Sequence, residues 1–206
     1  MAESRAPAVS QDDLTSRAIR VCDDVLYIPR FILHHQAIYG ALAAQLDWRE
    51  ESIMMFGRRV KVPRLCTWCG DEGVVYRYSH TVHRATGWAP FVESIRDDLQ
   101  ACLNTRFNFV LGNLYRDGKD AMGWHADDEP ELGNEPCIAS LSFGASRRFD
   151  LRAREGSGHR ASVILEPGSL LLMQGRSQRN WQHALPRTKA TIGPRINLTF
   201  RRVEPS

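Results

Sequence analysis

His125 and Asp127 stand two residues apart in Gly123-Trp124-His125-Ala126-Asp127-Asp128-Glu129, a spacing at which an imidazole and a carboxylate reach one point from an extended or turning segment. A third ligand has to come from elsewhere, and His183, 58 residues after His125, is of the right type. Two histidines and one carboxylate on one face of an octahedral Fe(II) leave three positions open for substrate and oxygen. The His-x-Asp pair by itself is a weak sign, because a chain with seven histidines produces such pairs by chance.

A second group of residues concerns anions. If Arg195-Ile196-Asn197-Leu198-Thr199-Phe200-Arg201 is a strand, Arg195, Asn197, Thr199 and Arg201 share one face and Ile196, Leu198 and Phe200 the other. Facing inward, two arginines would be costly to bury unless an anion met them, and a dicarboxylate would offset that cost through bidentate hydrogen bonds. The segment fits an exposed edge strand with a solvated basic face equally well.

These residues need a scaffold. Residues 1–20 carry no hydrophobic periodicity and read as a flexible tail. Residues 25–28 read as a strand stopped by Pro29, and 31–46 as a helix with Ile38, Leu42 and Leu46 on one face. Two short strands flank Phe56-Gly57 as a hairpin, and Val74, Tyr76 and Tyr78 alternate as in a strand. Residues 90–103 suit a helix, with proline at its start and Phe91, Ile95, Leu99 and Leu103 spaced by four. Beyond residue 105 come short strands over 107–115, 137–143, 148–152, 162–165, 169–173 and 196–203, a sandwich or jelly-roll pattern. The expected architecture is α+β in a single domain over 21–206, with helices and a hairpin over 21–104 and a β core over 105–206.

Composition bounds the rest. With 206 residues, 43% hydrophobic and 25% charged, the chain suits one globular domain and excludes a wholly disordered or collagen-like chain. Its longest apolar stretches, such as Leu170-Leu171-Leu172-Met173, are far shorter than the ~20 residues of a membrane span. The polar N-terminus lacks the apolar core of a secretion signal, so no membrane partner and an intracellular location are expected. The five cysteines, odd in number, suit reduced thiols, and the Cys66-x-x-Cys69 pair has no second such pair to complete a zinc site.

Net charge is only +3, yet 24 of the 27 basic residues are arginine. They gather in three stretches: Arg58, Arg59, Lys61 and Arg64; Arg147, Arg148, Arg152, Arg154 and Arg160; and Arg187, Lys189, Arg195, Arg201 and Arg202. Such stretches suit phosphate or a solvated surface. Asp127, Asp128, Glu129, Glu131 and Glu135 form an acidic run of the kind that is usually solvated.

Asn113-Leu114-Tyr115, the Gly123 to Glu129 segment, Ser140-Leu141-Ser142-Phe143-Gly144, Gly168-Ser169-Leu170-Leu171, Trp181-Gln182-His183 and the Arg195 to Arg201 segment resemble, in this order, the AlkB dioxygenases. These enzymes use Fe(II) and 2-oxoglutarate to reverse alkylation damage on nucleic-acid bases. The resemblance runs from about residue 24 onward and is nearest to the homologue that repairs duplex DNA. It implies a double-stranded β-helix, oxidative dealkylation with O2, and release of succinate, CO2 and aldehyde. It implies that His125, Asp127 and His183 hold iron and carry catalysis, that Arg195, Tyr115 and Asn197 bind the distal carboxylate of 2-oxoglutarate, and that Arg201 and Asn113 meet the carboxylate beside the metal.

For the substrate, a base inside a duplex must be extruded to reach a buried metal. The resemblance places Phe56 at the tip of a finger that can fill the vacated stack, with the arginines from Arg58 to Arg64 beside phosphates. N1-methyladenine and N3-methylcytosine are cationic, so an aromatic face and a carboxylate attract them. The resemblance implies that Tyr76 and Tyr78 line the base pocket, with Tyr78 stacking on the base, His183 on its other face and Glu129 at the exocyclic amine. Trp124 departs from the acidic residue of the duplex homologue and is expected to narrow the pocket or shift a loop; His80 and His83 are expected on the surface. The expected protein is a monomer acting on alkylated DNA, double-stranded by this reading. The same chemistry on RNA or single strands, etheno adducts as further substrates, and a non-catalytic damage-binding sandwich are the alternatives.

Overall fold

The computed structural model describes residues 14, 16–55, 57–78, 81–156 and 158–204, with the side chains of Met54, Met55 and Arg59 excepted. The Phe56 finger tip and His80 lie outside the described residues.

Fourteen strands are named among the described residues: β1 (Ile19–Cys22), β2 (Val25–Ile28), β3 (Arg49–Met55), β4 (Arg58–Gly70), β5 (Val75–Tyr78), β6 (Thr81–Arg84), β7 (Phe109–Tyr115), β8 (Met122–His125), β9 (Ile138–Gly144), β10 (Arg147–Ala153), β11 (Arg160–Leu165), β12 (Leu170–Met173), β13 (Trp181–Leu185) and β14 (Arg195–Arg201). The helices are α1 (His35–Gln45), α2 (Pro90–Leu103) and the single turn α3 (Ser177–Asn180). None of these helices is long and apolar enough to cross a membrane.

The major sheet runs β1-β2-β12-β9-β14-β7-β4-β3 and the minor sheet β11-β10-β13-β8, while β5 and β6 pair only with each other. Each pairing is antiparallel. Strands β7 to β14 form the double-stranded β-helix, the jelly roll expected from the sequence. The division expected near residue 104 is not one the sheet respects: β2 pairs with β12, and β4 pairs with β7. The hairpin arms are also longer than expected, because β4 continues as a full strand of the major sheet.

Strand alternation sorts β14. Ile196, Leu198 and Phe200 join Leu42 of α1 and Val92, Ile95 and Leu99 of α2 in one apolar layer. A second layer, with Tyr115, Phe149, Leu151, Leu171 and Leu185, fills the space between the two sheets. Helix α2 has the expected bounds, with Pro90 in its first turn and Asn104 closing it in the left-handed conformation at φ 47°. Helix α1 starts later than expected, at His35, because Phe31 and Ile32 are drawn into the core and the Ile32 N–H donates to the Gly168 carbonyl at 2.8 Å. Strands β8 and β13 lacked a period-2 apolar signal in the sequence, and both carry functional residues.

Gly144 ends β9 directly across from Arg195, at φ 83°, and a Cβ there would lie 2.4 Å from the Pro194 carbonyl oxygen. Both the backbone conformation and the close approach demand glycine. Gly144→Ala is expected to cost about 3 kcal/mol by adding left-handed strain to overpacking. Denaturant unfolding measures this, and an unchanged midpoint would show that the turn relaxes freely.

Candidate metal and anion site

The pairing of β8 with β13 sets His125 directly opposite His183, which brings together residues far apart in the chain. Their ring centroids are 4.2 Å apart. Asp127 follows β8, and one ligand atom from each of the three residues lies within 4.8 Å of the others. The His125 Nδ1–H donates to the Gly123 carbonyl at 2.9 Å, which leaves Nε2 as the ligating nitrogen. Phe149 covers one face of the His183 ring, with centroids 5.2 Å apart. Burial, and then the nearby His125, push the pKa of His183 down to about 3, and burial likewise lowers that of His125. Both imidazoles are therefore neutral near pH 7, the form that binds a metal.

Burial alone would raise the Asp127 carboxyl, but the charge and hydrogen bonds of Arg201 together with the two neighbouring imidazoles outweigh it and hold the pKa down at about 2. Arg201 donates to Asp127 Oδ2 from Nη2 at 2.7 Å and from Nε at 3.2 Å. The other oxygen, Oδ1, is buried without a hydrogen-bond partner among the described residues. A deprotonated carboxylate with one oxygen held by a cation and one left over, beside two neutral imidazoles, is a donor set that fits a divalent first-row metal. Arg201 was expected to meet a carboxylate beside the metal; the carboxylate it meets here is that of Asp127.

All seven residues of β14 are buried. This settles the two arrangements left open above: the strand lies between β9 and β7, and its polar row faces the space between the sheets. Arg195 donates to Ser142 Oγ at 2.9 Å, while its Nε and Nη1 have no partner among the described residues. Its charge sits 5.4 Å from the Tyr115 ring centroid, and burial lowers its pKa to about 10. A buried guanidinium with two unmet donors is costly, and an anion is the group that removes the cost.

The structure gathers Asn113, Tyr115, His125, Asp127, His183, Arg195, Asn197, Arg201 and Tyr78 around one cavity. Asn197 departs from expectation. Its amide donates to Ser140 Oγ and to the Leu141 carbonyl, at 2.8 and 3.0 Å, so it braces β14 against β9 and has no donor left for an anion. Asn113 accepts at Oδ1 from Arg64 Nε at 2.7 Å. Arg64 is thereby buried beneath the site and cannot stand among phosphates as expected.

Over the cavity, Tyr76 donates to Glu129 Oε2 at 2.9 Å and stacks on Tyr78 with ring centroids 6.2 Å apart. Tyr78 donates to Met122 Sδ at 3.4 Å. Burial, and then the charge of Asp127, raise the Glu129 pKa to about 7.

Other expectations change on the surface. Arg147 is buried and donates to the carbonyls of Asp117, Asp120 and Pro186, so it ties loops together and is lost to phosphate. Trp124, on β8 of the minor sheet, is exposed with the Arg152 guanidinium 4.4 Å above its ring and, contrary to expectation, does not line the cavity. The acidic run is largely engaged: Asp128 pairs with Arg154, Glu131 with Arg77 and Glu135 with Arg176. Cys66 lies opposite Asn113, while Cys69 packs in the helix-side layer; on opposite faces of β4 the two form no joint metal site. His83 is fully buried, not on the surface.

Sequence reasoning missed Gln178, whose Oε1 accepts from the Asp127 N–H at 2.9 Å, because nothing local marks a polar residue in a one-turn helix. Ser140 and Ser142, quoted above only within a motif of the resemblance, were missed as partners of Asn197 and Arg195; their alternation in Ser-Leu-Ser-Phe-Gly is the signal that could have found them.

Comparison with known proteins agrees with this geometry. The family model described as the 2OG-Fe(II) oxygenase superfamily matches residues 24–201. The human alpha-ketoglutarate-dependent dioxygenase alkB homolog 3 is 38% identical over 197 residues, covering 90% of this chain and 67% of its own length. The human DNA oxidative demethylase ALKBH2 is 40% identical over 158 residues, covering 73% of this chain and 60% of its own. The bovine alkB homolog 3 is 37% identical over 82% of this chain and 62% of its own length, so the chain spans about three fifths to two thirds of these relatives. The solved structure of OsALKBH1 has the same fold, with a TM-score of 0.64 at 16% identity, covering 90% of this chain and 99% of that one. The chain belongs to the 2OG-Fe(II) oxygenase superfamily, whose cofactor is Fe(II) and whose co-substrates are 2-oxoglutarate and O2, and within it to the AlkB-like oxygenases.

Proposed function

We propose that this chain oxidatively removes alkyl groups from damaged bases of DNA, with N1-methyladenine and N3-methylcytosine as the first substrates and duplex DNA as the preferred form. The observation that carries this reading is the pairing of two unmet needs in one cavity: a ligand oxygen on Asp127 and two donors on Arg195, roofed by Tyr78.

In this reading His125, Asp127 and His183 hold Fe(II). Bound there with 2-oxoglutarate and O2, the metal supplies the oxidising power that hydroxylates the alkyl carbon, with succinate, CO2 and an aldehyde as products. The chain's residues do the rest. Arg195, with Tyr115 beside it, binds the far carboxylate of 2-oxoglutarate, while Asn113 is steadied by Arg64. Arg201 keeps Asp127 ionised and fixes which of its oxygens faces the metal. Phe149, Leu165 and Leu185 line the apolar wall and exclude water.

Tyr78 offers an aromatic face to a cationic base, and Glu129 a carboxylate that attracts such a base more than its neutral parent; Tyr76, expected to line the base pocket, is fully buried and instead stacks on Tyr78 and holds Glu129 by its hydroxyl. Phe56 is proposed, from its place in the sequence, to fill the gap that the extruded base leaves in the stack.

Methylated oligonucleotides, single- and double-stranded, incubated with Fe(II), 2-oxoglutarate and O2 test the whole reading. Succinate and formaldehyde should appear together and only with a methylated base; a protein that consumes 2-oxoglutarate but leaves each methylated base in place removes the substrate assignment. Mn(II) should raise the melting temperature of the parent and not of His125→Ala, which should also lose turnover while folding normally. Arg195→Met should raise KM for 2-oxoglutarate by roughly 10- to 100-fold, the worth of charge-assisted hydrogen bonds. Phe56→Ala should reduce repair of duplex DNA selectively, and equal loss on single and double strands would contradict the duplex preference.

A further inference from the structure

The hairpin of β5 and β6 shares no strand pairing with either larger sheet; backbone bonds of Gly70 to Gly87 and of Asp71 to Asn108 tie its base to the major sheet, and side chains fix the strands themselves. A two-stranded hairpin is marginal by itself. On β5 the attachments are Tyr76 to Glu129, Tyr78 to Met122 and Arg77 to Glu131. They all reach to one side, toward β8 and the loop after it. On β6 the structure holds an attachment to the opposite side: His83 Nε2 lies 2.8 Å from Glu51 Oε1 on β3.

His83 stands directly across from Tyr76 in the hairpin register, so both point to the same face, and both are 0% exposed. Trp68 of β4 packs edge-on against the His83 ring at 4.6 Å and donates from Nε1 to the Arg84 carbonyl at 3.1 Å. Burial would raise the Glu51 carboxyl, but the hydrogen bond from His83, its charge, and contacts with Cys66 and Arg64 bring it below its ordinary value. An imidazole and a carboxylate buried together gain little stability over packed apolar side chains. What they add is direction: a bond at one distance and angle, which an apolar contact lacks.

We propose that His83, through Glu51, is a positioning residue for base recognition: the pair pins the β6 arm to β3 and thereby fixes where Tyr76 and Tyr78 stand over the cavity. The proposal rests on the reading of an alkylated base as substrate. Neither residue touches the metal ligands or the Arg195 end, so its effect falls on the base and not on 2-oxoglutarate.

The test compares the parent chain with His83→Leu, His83→Gln and Glu51→Leu by hydrogen–deuterium exchange and by kinetics. In His83→Leu, amide exchange over residues 74–85 should accelerate while β9 and β14 stay protected. KM for the methylated oligonucleotide should rise about tenfold, as a shift of the recognition groups implies. KM for 2-oxoglutarate and its DNA-independent decarboxylation should not change. His83→Gln, which keeps a donor toward Glu51, should recover most of the loss.

Unchanged exchange over 74–85 overturns the pin whatever the substrate. Faster exchange with an unchanged oligonucleotide KM overturns its role in recognition, and so does a parallel rise in KM for 2-oxoglutarate. A parent that decarboxylates 2-oxoglutarate but repairs no methylated base overturns the substrate reading and, with it, recognition of an alkylated base by this pair, while the exchange result still decides whether the pin exists. Should leucine at 83 prevent folding, Glu51→Leu carries the same measurements from the partially exposed side of the pair, with the same expected direction.

Discussion

A positive charge can stay in a protein interior only if something there answers it, and β14 places two arginines between two sheets. Arg201 is answered from within the chain, by Asp127. Arg195 is answered in part, by Ser142 and the face of Tyr115, and keeps two donors unmet. That difference gives the cavity its polarity. At one end a cation and a carboxylate are settled together and the leftover oxygen belongs with a metal; at the other, a cation waits for an anion that the chain does not contain. The apolar layer on the other side of β14 lets this happen, since Ile196, Leu198 and Phe200 anchor the strand among the helices.

Much of this was legible in the residues because strand alternation is strict. Polar and apolar residues alternate without a break from Arg195 to Arg201, and a strand so patterned has two faces wherever it lies. The sequence left open which face met solvent, because that depends on neighbours: β9 and β7 on either side, fixed by contacts far along the chain. Helix α2 was legible for a local reason, with proline at its start and apolar residues spaced by four.

Side chains whose roles are set by distant backbone were not legible. Arg64 and Arg147 look alike in a basic run, yet one supports Asn113 and the other collects three carbonyl oxygens from separate loops. Nothing near them in the chain states this. Charge density along a sequence counts arginines without saying which are needed to satisfy buried acceptors, so the surface available to phosphate is smaller than the three basic stretches suggest. His83 shows the converse: a histidine among polar neighbours reads as exposed, whereas register with Tyr76 and the reach of Glu51 from another strand bury it.

The fold divides its tasks by rigidity. His183 and the anion-binding groups sit on strands paired on both sides, where a shift of one residue would disrupt the whole register, while His125 on the edge strand β8 and Asp127 just after it are held against them by β13 and by Arg201. The aromatic groups over the cavity sit on a hairpin outside both sheets, held by a few side-chain bonds that a small movement can break and remake. Under the proposed reading of an alkylated base as substrate, that arrangement lets the roof yield while the groups beneath keep their geometry. A change of substrate choice in this chain is therefore easier to place at the hairpin and its fastenings than in β14, where a substitution would leave a buried charge unanswered.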